Sequence, residues 1–462
     1  MLTKEEIKEL KTVGNGAIGK IVLEHKSSNS YVLHVLENLG HLPNNFDGGW
    51  LPELLDSKSS QVRFWTVKNL GKLTDDEFLM ILKKVAQTDT DTNVRREAVS
   101  SIGRMRNPKA KNLLIEILRD TDPKVVCQAI RGLLVFKGDE KVDNSLKQLI
   151  NHENEIVRSI IYKEYIAKEK QETKLQPHAE IHDYLKNVVV NGDVREILKH
   201  VPEESIHLTF TSPPYYNARD YSIYPSYQAY LEFLEQVFKE VHRTTKEGRF
   251  LIVNTSPIII ARMSRAHSSK RYPIPFDLHP YLVKMGWEFI DDIVWLKPEA
   301  SVKNRNAGFL QHRKPLGYKP NPVTEYLMVY RKLTEKLLDW NIKQYNWKTV
   351  KESKVADGYE TSNVWRIDPK FDKVHSAVFP VELCKRVVEY YSFKGDLVFD
   401  PFGGSGTLGR TAKSLGRHFF LTEVDEKYFE YMKSFMQKNS LFNEHPTQFL
   451  SLSGFINSIK KQ

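Results

Sequence analysis

Two short stretches combine residue types that could do chemistry. The first is Thr211-Ser-Pro-Pro-Tyr-Tyr-Asn217. Consecutive prolines are rigid and lack backbone donors. The Pro213 carbonyl and Ser212 Oγ are therefore left as acceptors, Pro214 stiffens the turn, and Tyr215 adds a flat ring. Acceptors for N–H beside an aromatic face suit a planar substrate that carries an amino group. The second stretch is Leu397-Val-Phe-Asp-Pro-Phe-Gly-Gly-Ser-Gly-Thr-Leu-Gly409. It reads as a strand ending in Asp400, a glycine-rich turn and a helix, and Gly403, Gly404 and Gly406 let the backbone approach a ligand closely. The following strand ends in Glu423, placed to bind ribose hydroxyls as in dinucleotide-type sites. No Lys follows the glycines as in a phosphate loop, and the Asp-Pro-Phe start departs from the NAD pattern.

These stretches need strands and helices to hold them. From about residue 186, short β-branched runs alternate with amphipathic segments. Strands are predicted over 187–191, 207–211, 250–254, 292–296, 326–330, 397–400 and 418–422, and helices over 227–243, 276–285, 380–392 and 406–415. That alternation predicts a doubly wound α/β domain with a mostly parallel sheet, which binds ligands at the carboxyl ends of its strands.

The N-terminal third is repetitive. Val62, Val94, Val125 and Val157 anchor four similar segments at steps of 32, 31 and 32 residues. Each anchor lies in a predicted helix preceded by polar Asp/Asn/Thr turns, and a second amphipathic stretch comes before each anchor helix. Two short helices per repeat predict an all-α solenoid that resembles HEAT repeats. Arg63, Arg95 and Arg158 follow three of the valines, and either face DNA or cap neighbouring helices. The resulting division is a solenoid over 1–167, a polar linker over 168–185 and the α/β domain over 186–462.

Composition narrows the classes. The 462 residues carry 68 Lys and Arg against 58 Asp and Glu, a formal charge of +10. A surplus of that sign favours a polyanionic partner. Two cysteines, Cys127 and Cys384, exclude a disulfide framework and a Cys-rich zinc module, and fit a reducing compartment. Neither a signal peptide, a membrane span nor a metal-ligand cluster is expected.

The two motifs together resemble the DNA amino-methyltransferases that use S-adenosylmethionine. Their order, with the Ser212-Pro-Pro-Tyr215 tetrapeptide first, resembles the β class. The resemblance implies a Rossmann-like methyltransferase fold over roughly 186–435. It assigns catalysis to Ser212, Pro213, Pro214 and Tyr215, and cofactor binding to Asp400, Pro401, Phe402, Gly403, Ser405, Gly406, Thr407 and Glu423. Matching flanking segments add Asp193, His375, Phe379 and Pro380 to the cofactor set. Ser in the first catalytic position resembles the cytosine-N4 group, with adenine N6 as the alternative target. A C5-cytosine reaction would need a Cys nucleophile, and neither cysteine fits. An RNA substrate, or a degenerate domain acting only as a DNA-binding scaffold, are competing readings that the intact motifs and their order disfavour.

Charge suggests the DNA surfaces. Between Lys297 and Pro322 lie six Lys or Arg and one acid, and 331–354 holds seven against three. Lys303, Arg305, Arg313, Lys314, Lys319, Lys343 and Lys348 are the expected DNA contacts, in insertions around 297–362. Duplex DNA is the implied partner. A restriction endonuclease or other defence protein on the solenoid, and a place in the prokaryotic cytosol near the nucleoid, follow from the same resemblance.

Overall fold

Each anchoring valine of the N-terminal repeats is buried in a helix. The helices are α1 (Lys4–Val13), α2 (Ala17–Glu24), α3 (Asn29–Asn38), α4 (Ser60–Leu70), α5 (Asp76–Thr88), α6 (Thr92–Arg104), α7 (Ala110–Ile117), α8 (Pro123–Leu133), α9 (Glu140–Lys147) and α10 (Glu155–Tyr165). In the computed structural model they belong to the first of two compact units, Met1–Gln171, the second being Glu172–Gln462. The structure describes residues 1–13, 16–43, 45–73, 75–166, 178–216, 224–260, 264, 266–267, 269–302, 320–370, 378–438 and 446–460.

The polar turns before the anchor helices are N-caps. Ser59, Asp91, Asp122 and Asn154 each accept a backbone N–H from the first turn of α4, α6, α8 and α10. Such a cap stabilises a helix by about 1 kcal/mol. The arginines behind the valines serve the same turns. Arg63 pairs with Asp89 at 2.7 Å and donates to the Ser57 carbonyl. Arg95 reaches Asp120 at 3.7 Å and the Asp89 carbonyl, and Arg158 donates to the carbonyls of His152 and Glu153. All three therefore hold neighbouring turns, as the capping reading expects.

Helices α6 and α8 meet backbone to backbone. A Cβ on Gly132 would stand 2.9 Å from Leu114 and 3.1 Å from the Gly103 Cα.

The second unit is built on a nine-stranded sheet. Its strands are β1 (Val188–Asn191), β2 (Ile206–Thr211), β3 (Thr245–Thr255), β6 (Trp287–Leu296), β7 (Thr324–Lys332), β8 (Val364–Arg366), β9 (Leu397–Asp400), β10 (His418–Glu423) and β11 (Gln448–Ser451). A separate ribbon pairs β4 (Ile258–Ile260) with β5 (Lys270–Tyr272). The sheet order is β11-β1-β10-β9-β2-β3-β7-β6-β8. From β11 through β3 all pairings are parallel, and β7 runs antiparallel to both its neighbours. The predicted strands are all present, most of them longer than read. Strands β8 and β11 and the ribbon are short pieces without the alternation that would have marked them.

Helices α11 (Val194–Leu198), α12 (Tyr227–Thr244), α13 (Ile274–Met285), α14 (Leu338–Lys343), α15 (Trp347–Glu352), α16 (Val381–Tyr391), α17 (Thr407–Ser414), α18 (Glu426–Lys438) and α19 (Leu452–Lys460) complete the unit. Two apolar cores flank the sheet, one under α12, α13 and α19, the other under α16, α17 and α18. Residues 178–185, at the end of the polar stretch read as a linker, pack onto this unit: Tyr184 and Leu185 are buried, and the His178 carbonyl hydrogen-bonds His207. Among the described residues, no helix is long and apolar enough to cross a membrane.

The α6–α8 contact leaves no room for a larger residue. Gly132→Leu should lower the stability of the helical unit by about 1–3 kcal/mol, measured by chemical denaturation followed by circular dichroism.

Candidate active site

Strand β2 delivers Thr211 and strand β9 delivers Asp400 to the same edge of the sheet. The two strands pair in parallel, and Thr211 Oγ1 donates to Asp400 Oδ1 at 2.7 Å. Beyond that bond each chain turns into one of the two motifs. They face a common cleft of about 650 Å³, within the range of small-molecule sites.

The glycine loop is held from inside. Phe402 N–H donates to Asp400 Oδ1 at 3.0 Å, and Gly404 N–H donates to Glu423 Oε2 at 2.8 Å. Gly406 takes φ +70 as N-cap of α17, and a Cβ there would stand 2.9 Å from Met432 Sδ. Its role in the structure is close packing of the turn on α18. Gly409 packs in the same way on Leu421 and Phe419 of β10.

Asp400 and Glu423 are buried carboxylates with no cation paired to them among the described residues. Burial pushes Asp400 up to about 6, with the Thr211 and Phe402 hydrogen bonds pulling the other way. Burial likewise raises Glu423 to about 7, against the pull of the Asp425 and Gly404 N–H groups. Asp193 differs. The Arg195 guanidinium holds its carboxyl below the usual range, and it caps α11 through Arg195 N–H.

The cleft gathers most of the predicted residues. Ser212, Pro213, Pro214 and Tyr215 line it, as do Asp193, Phe379, Asp400, Pro401, Phe402, Gly403, Ser405, Thr407 and Glu423. Phe379 stacks on Phe210 with ring centroids 4.5 Å apart. Pro380 stands just behind, as the N-cap of α16. His375 lies outside the described residues, as do Lys303, Arg305, Arg313, Lys314 and Lys319. Lys343 and Lys348 are exposed on α14 and α15, which are fastened at the opposite edge of the sheet. Tyr345 Oη donates to Asp396 ahead of β9, and Asn341 Nδ2 donates to the Glu247 carbonyl early in β3. The structure does not bring these two lysines to the cleft. Charge runs in a sequence do not reveal which edge of a sheet they decorate.

Asn254, Lys297 and Glu325 are among the cleft residues to which the motif reading gave no part in catalysis or cofactor binding. Glu325 Oε1 pairs with Lys297 at 2.6 Å, and Oε2 accepts from Asn254 Nδ2 at 2.7 Å and from Tyr215 Oη at 3.2 Å. Asn254 Nδ2 also reaches Ser212 Oγ at 3.4 Å. Burial and the Glu325 carboxylate push the Tyr215 hydroxyl well above its ordinary value, so it remains a donor. Glu325 sits at the start of β7, whose antiparallel course brings its beginning to the edge where the parallel strands end. The signal available was the strand Thr324–Arg331 itself, read against the sheet direction.

Known proteins resemble both units. Residues 206–434 match the family model described as DNA methylase, and residues 81–164 match that of HEAT repeats. A type II beta methyltransferase, M.BslI of Bacillus sp. (strain NEB-606), is 28% identical over 255 residues, 52% of this chain and 26% of that one. The type II methyltransferase M.Cfr9I of Citrobacter freundii is 29% identical over 272 residues, 52% of this chain and 84% of that one. Among solved structures, a Thermus thermophilus protein proposed to be a DNA modification methylase, in complex with S-adenosyl-L-methionine, is 26% identical. It covers 58% of this chain and 98% of its own, with a TM-score of 0.47.

The raised Asp400 carries a stability consequence. Its folded value, about 6, lies above the ordinary carboxylate value of 3.8, so the folded state holds the extra proton between those limits. Its contribution to stability therefore falls as pH rises through that window. Asp400→Asn keeps an oxygen for Thr211 and Phe402 but does not titrate. Its Tm relative to the wild type should climb by a few degrees between pH 4.5 and pH 7.5, measured by scanning calorimetry; a constant difference would refute the buried-charge assignment.

Proposed function

We propose, from the match of residues 206–434 to the DNA methylase family model, that this chain transfers a methyl group from S-adenosylmethionine to the exocyclic N4 of cytosine in duplex DNA. The observation that carries the reading is the single cleft shared by Ser212-Pro-Pro-Tyr215 and the Asp400–Thr407 loop, joined by the Thr211–Asp400 hydrogen bond. Ser at the head of the tetrapeptide is what favours cytosine.

The cleft fits the proposed cofactor. Asp193 and Glu423 offer carboxylate acceptors for hydroxyl and amino groups, at the ends of β1 and β10, which pair in register. Gly403 lets the loop pack closely on β10, since a Cβ there would press on the Thr422 carbonyl at 3.2 Å. Phe379 and Phe402 add apolar walls, and the acids at the strand ends suit a cationic ligand. When bound, S-adenosylmethionine supplies a sulfonium methyl whose C–S electron pair returns to sulfur.

The protein's part is placement and electrostatics. An exocyclic amine is a weak nucleophile because its lone pair is delocalised into the ring. Ser212 Oγ and the Pro213 carbonyl accept its N–H groups and draw the nitrogen toward a tetrahedral shape. The lone pair then forms the new N–C bond, and the surplus N–H proton passes to solvent water. The target base must first be swung out of the duplex, and the Tyr215 ring, held by its hydroxyl, receives it. The chain's +10 charge serves phosphate contact, which salt should weaken. The relatives named type II methyltransferases support a role in a restriction–modification system. In this reading the protein works in the cytosol, and the helical repeats add DNA grip or hold a partner.

Labelled S-adenosylmethionine incubated with unmodified duplex DNA, followed by digestion to nucleosides, tests this. N4-methylcytosine is expected; N6-methyladenine would replace the cytosine assignment, and unlabelled DNA would overturn the activity. Ser212→Ala should cut transfer at least about 100-fold while leaving cofactor affinity, measured by calorimetry, unchanged.

A further inference from the structure

Resting on that reading, we infer that Glu325 is the positioning residue of the catalytic tetrapeptide: one carboxylate holds both of its ends, and Lys297 fixes the carboxylate. The tetrapeptide sits in a loop after β2, where regular backbone pairing has stopped. Its middle, Pro213-Pro214, is stiff by nature. Its ends are not, and both lead to Glu325. Tyr215 Oη donates to Oε2 at 3.2 Å. Asn254 Nδ2 donates to the same oxygen at 2.7 Å and reaches Ser212 Oγ at 3.4 Å. With both ends tied to one point and a rigid centre, the four residues behave as a single body.

Asn254 shows how far Glu325 dictates the arrangement. An amide atom 2.7 Å from a carboxylate oxygen must be the nitrogen, so Oδ1 is turned the other way. Asn254 is 2% exposed, and Oδ1 has no hydrogen-bond partner among the described residues. An unmet buried acceptor costs about 1–3 kcal/mol. An amide flip would set Oδ1 against the Glu325 carboxylate, acceptor against acceptor, so Glu325 fixes the orientation. The fold keeps the costly orientation. Such orphan groups gather where function sets the geometry.

Lys297 completes the clamp. Its ammonium occupies Oε1 at 2.6 Å, leaving Oε2 to the other two groups. Lys297 itself stands 5.2 Å from the centroid of the Trp295 ring, which limits where it can move. Although it begins the basic run 297–322, it is committed to Glu325.

Glu325→Gln tests the clamp without changing shape. The Lys297 ammonium claims the one remaining oxygen, so the Gln amide N–H groups face the Asn254 N–H groups, donor against donor, and that arm of the clamp opens. A misplacement on the order of 1 Å lowers turnover by about 100-fold. We expect that loss in kcat on unmodified duplex DNA, with S-adenosylmethionine affinity by calorimetry within about 2-fold of wild type, since Glu325 is outside the cofactor loop. Adding Lys297→Met frees the Gln oxygen to turn toward Asn254 and Tyr215, and should restore at least about 10-fold of the lost kcat. A purely structural ion pair predicts further loss instead. Wild-type kcat in Glu325→Gln, or no recovery in the double variant, overturns the clamp alone. Absence of any methylated base with the wild-type protein overturns the proposed activity, and the clamp with it.

Discussion

The cleft depends on the hydrogen bond between Thr211 and Asp400. These residues lie 189 positions apart in the chain, yet they close adjacent parallel strands. Each is the last fixed point before its chain leaves the sheet. The bond sets the distance between the two loops that follow, so it sets where a bound cofactor and a flipped base would meet. Everything else at the site adjusts orientation within that spacing: the Glu423 carboxylate under the glycine loop, and Glu325 under the tetrapeptide.

Strand β9 shows how the protein separates support from chemistry. Asp396 and Asp400 flank the strand, four residues apart, and both are buried. Burial raises Asp396, but the nearby Arg249 guanidinium, with His207, Tyr345 and the Phe393 N–H, more than offsets it and holds the carboxyl below its ordinary value. Asp400 has only neutral donors among the described residues and is left high. A saturated ion pair anchors one edge of the sheet, where α14 and α15 are fastened. A carboxylate without a counter-charge is kept at the other edge, where a cationic ligand could complete it.

Legibility followed the physics of each signal. Buried parallel strands announce themselves as apolar runs, so β1, β2, β9 and β10 were readable. The repeats were readable because a 31–32 residue period survives any single substitution. The tetrapeptide and the glycine loop were readable because proline and glycine constrain backbone directly. Glu325 was not, because the expectation that ligands meet strand ends holds for strands running one way, and β7 runs the other. Asn254 carries no special spacing, and its meaning comes entirely from an orientation imposed across the sheet. The positions of Lys343 and Lys348 were not legible for a related reason: local charge density contains no information about which edge the helices pack on.

The strands β1 and β11 are the first and last of the sheet in chain order, and they are neighbours: Val188 lies beside Gln448. After β11, helix α19 runs back along the strand, and nine residues at about 1.5 Å each return the chain close to where β1 begins. The sheet unit is thus nearly a closed loop of chain. A circular permutant of this unit, joined by a short bridge and reopened in a surface connection, would retain the β2–β9 junction unaltered. Which motif is translated first is then a property of the gene, with no bearing on the cleft that the two motifs form.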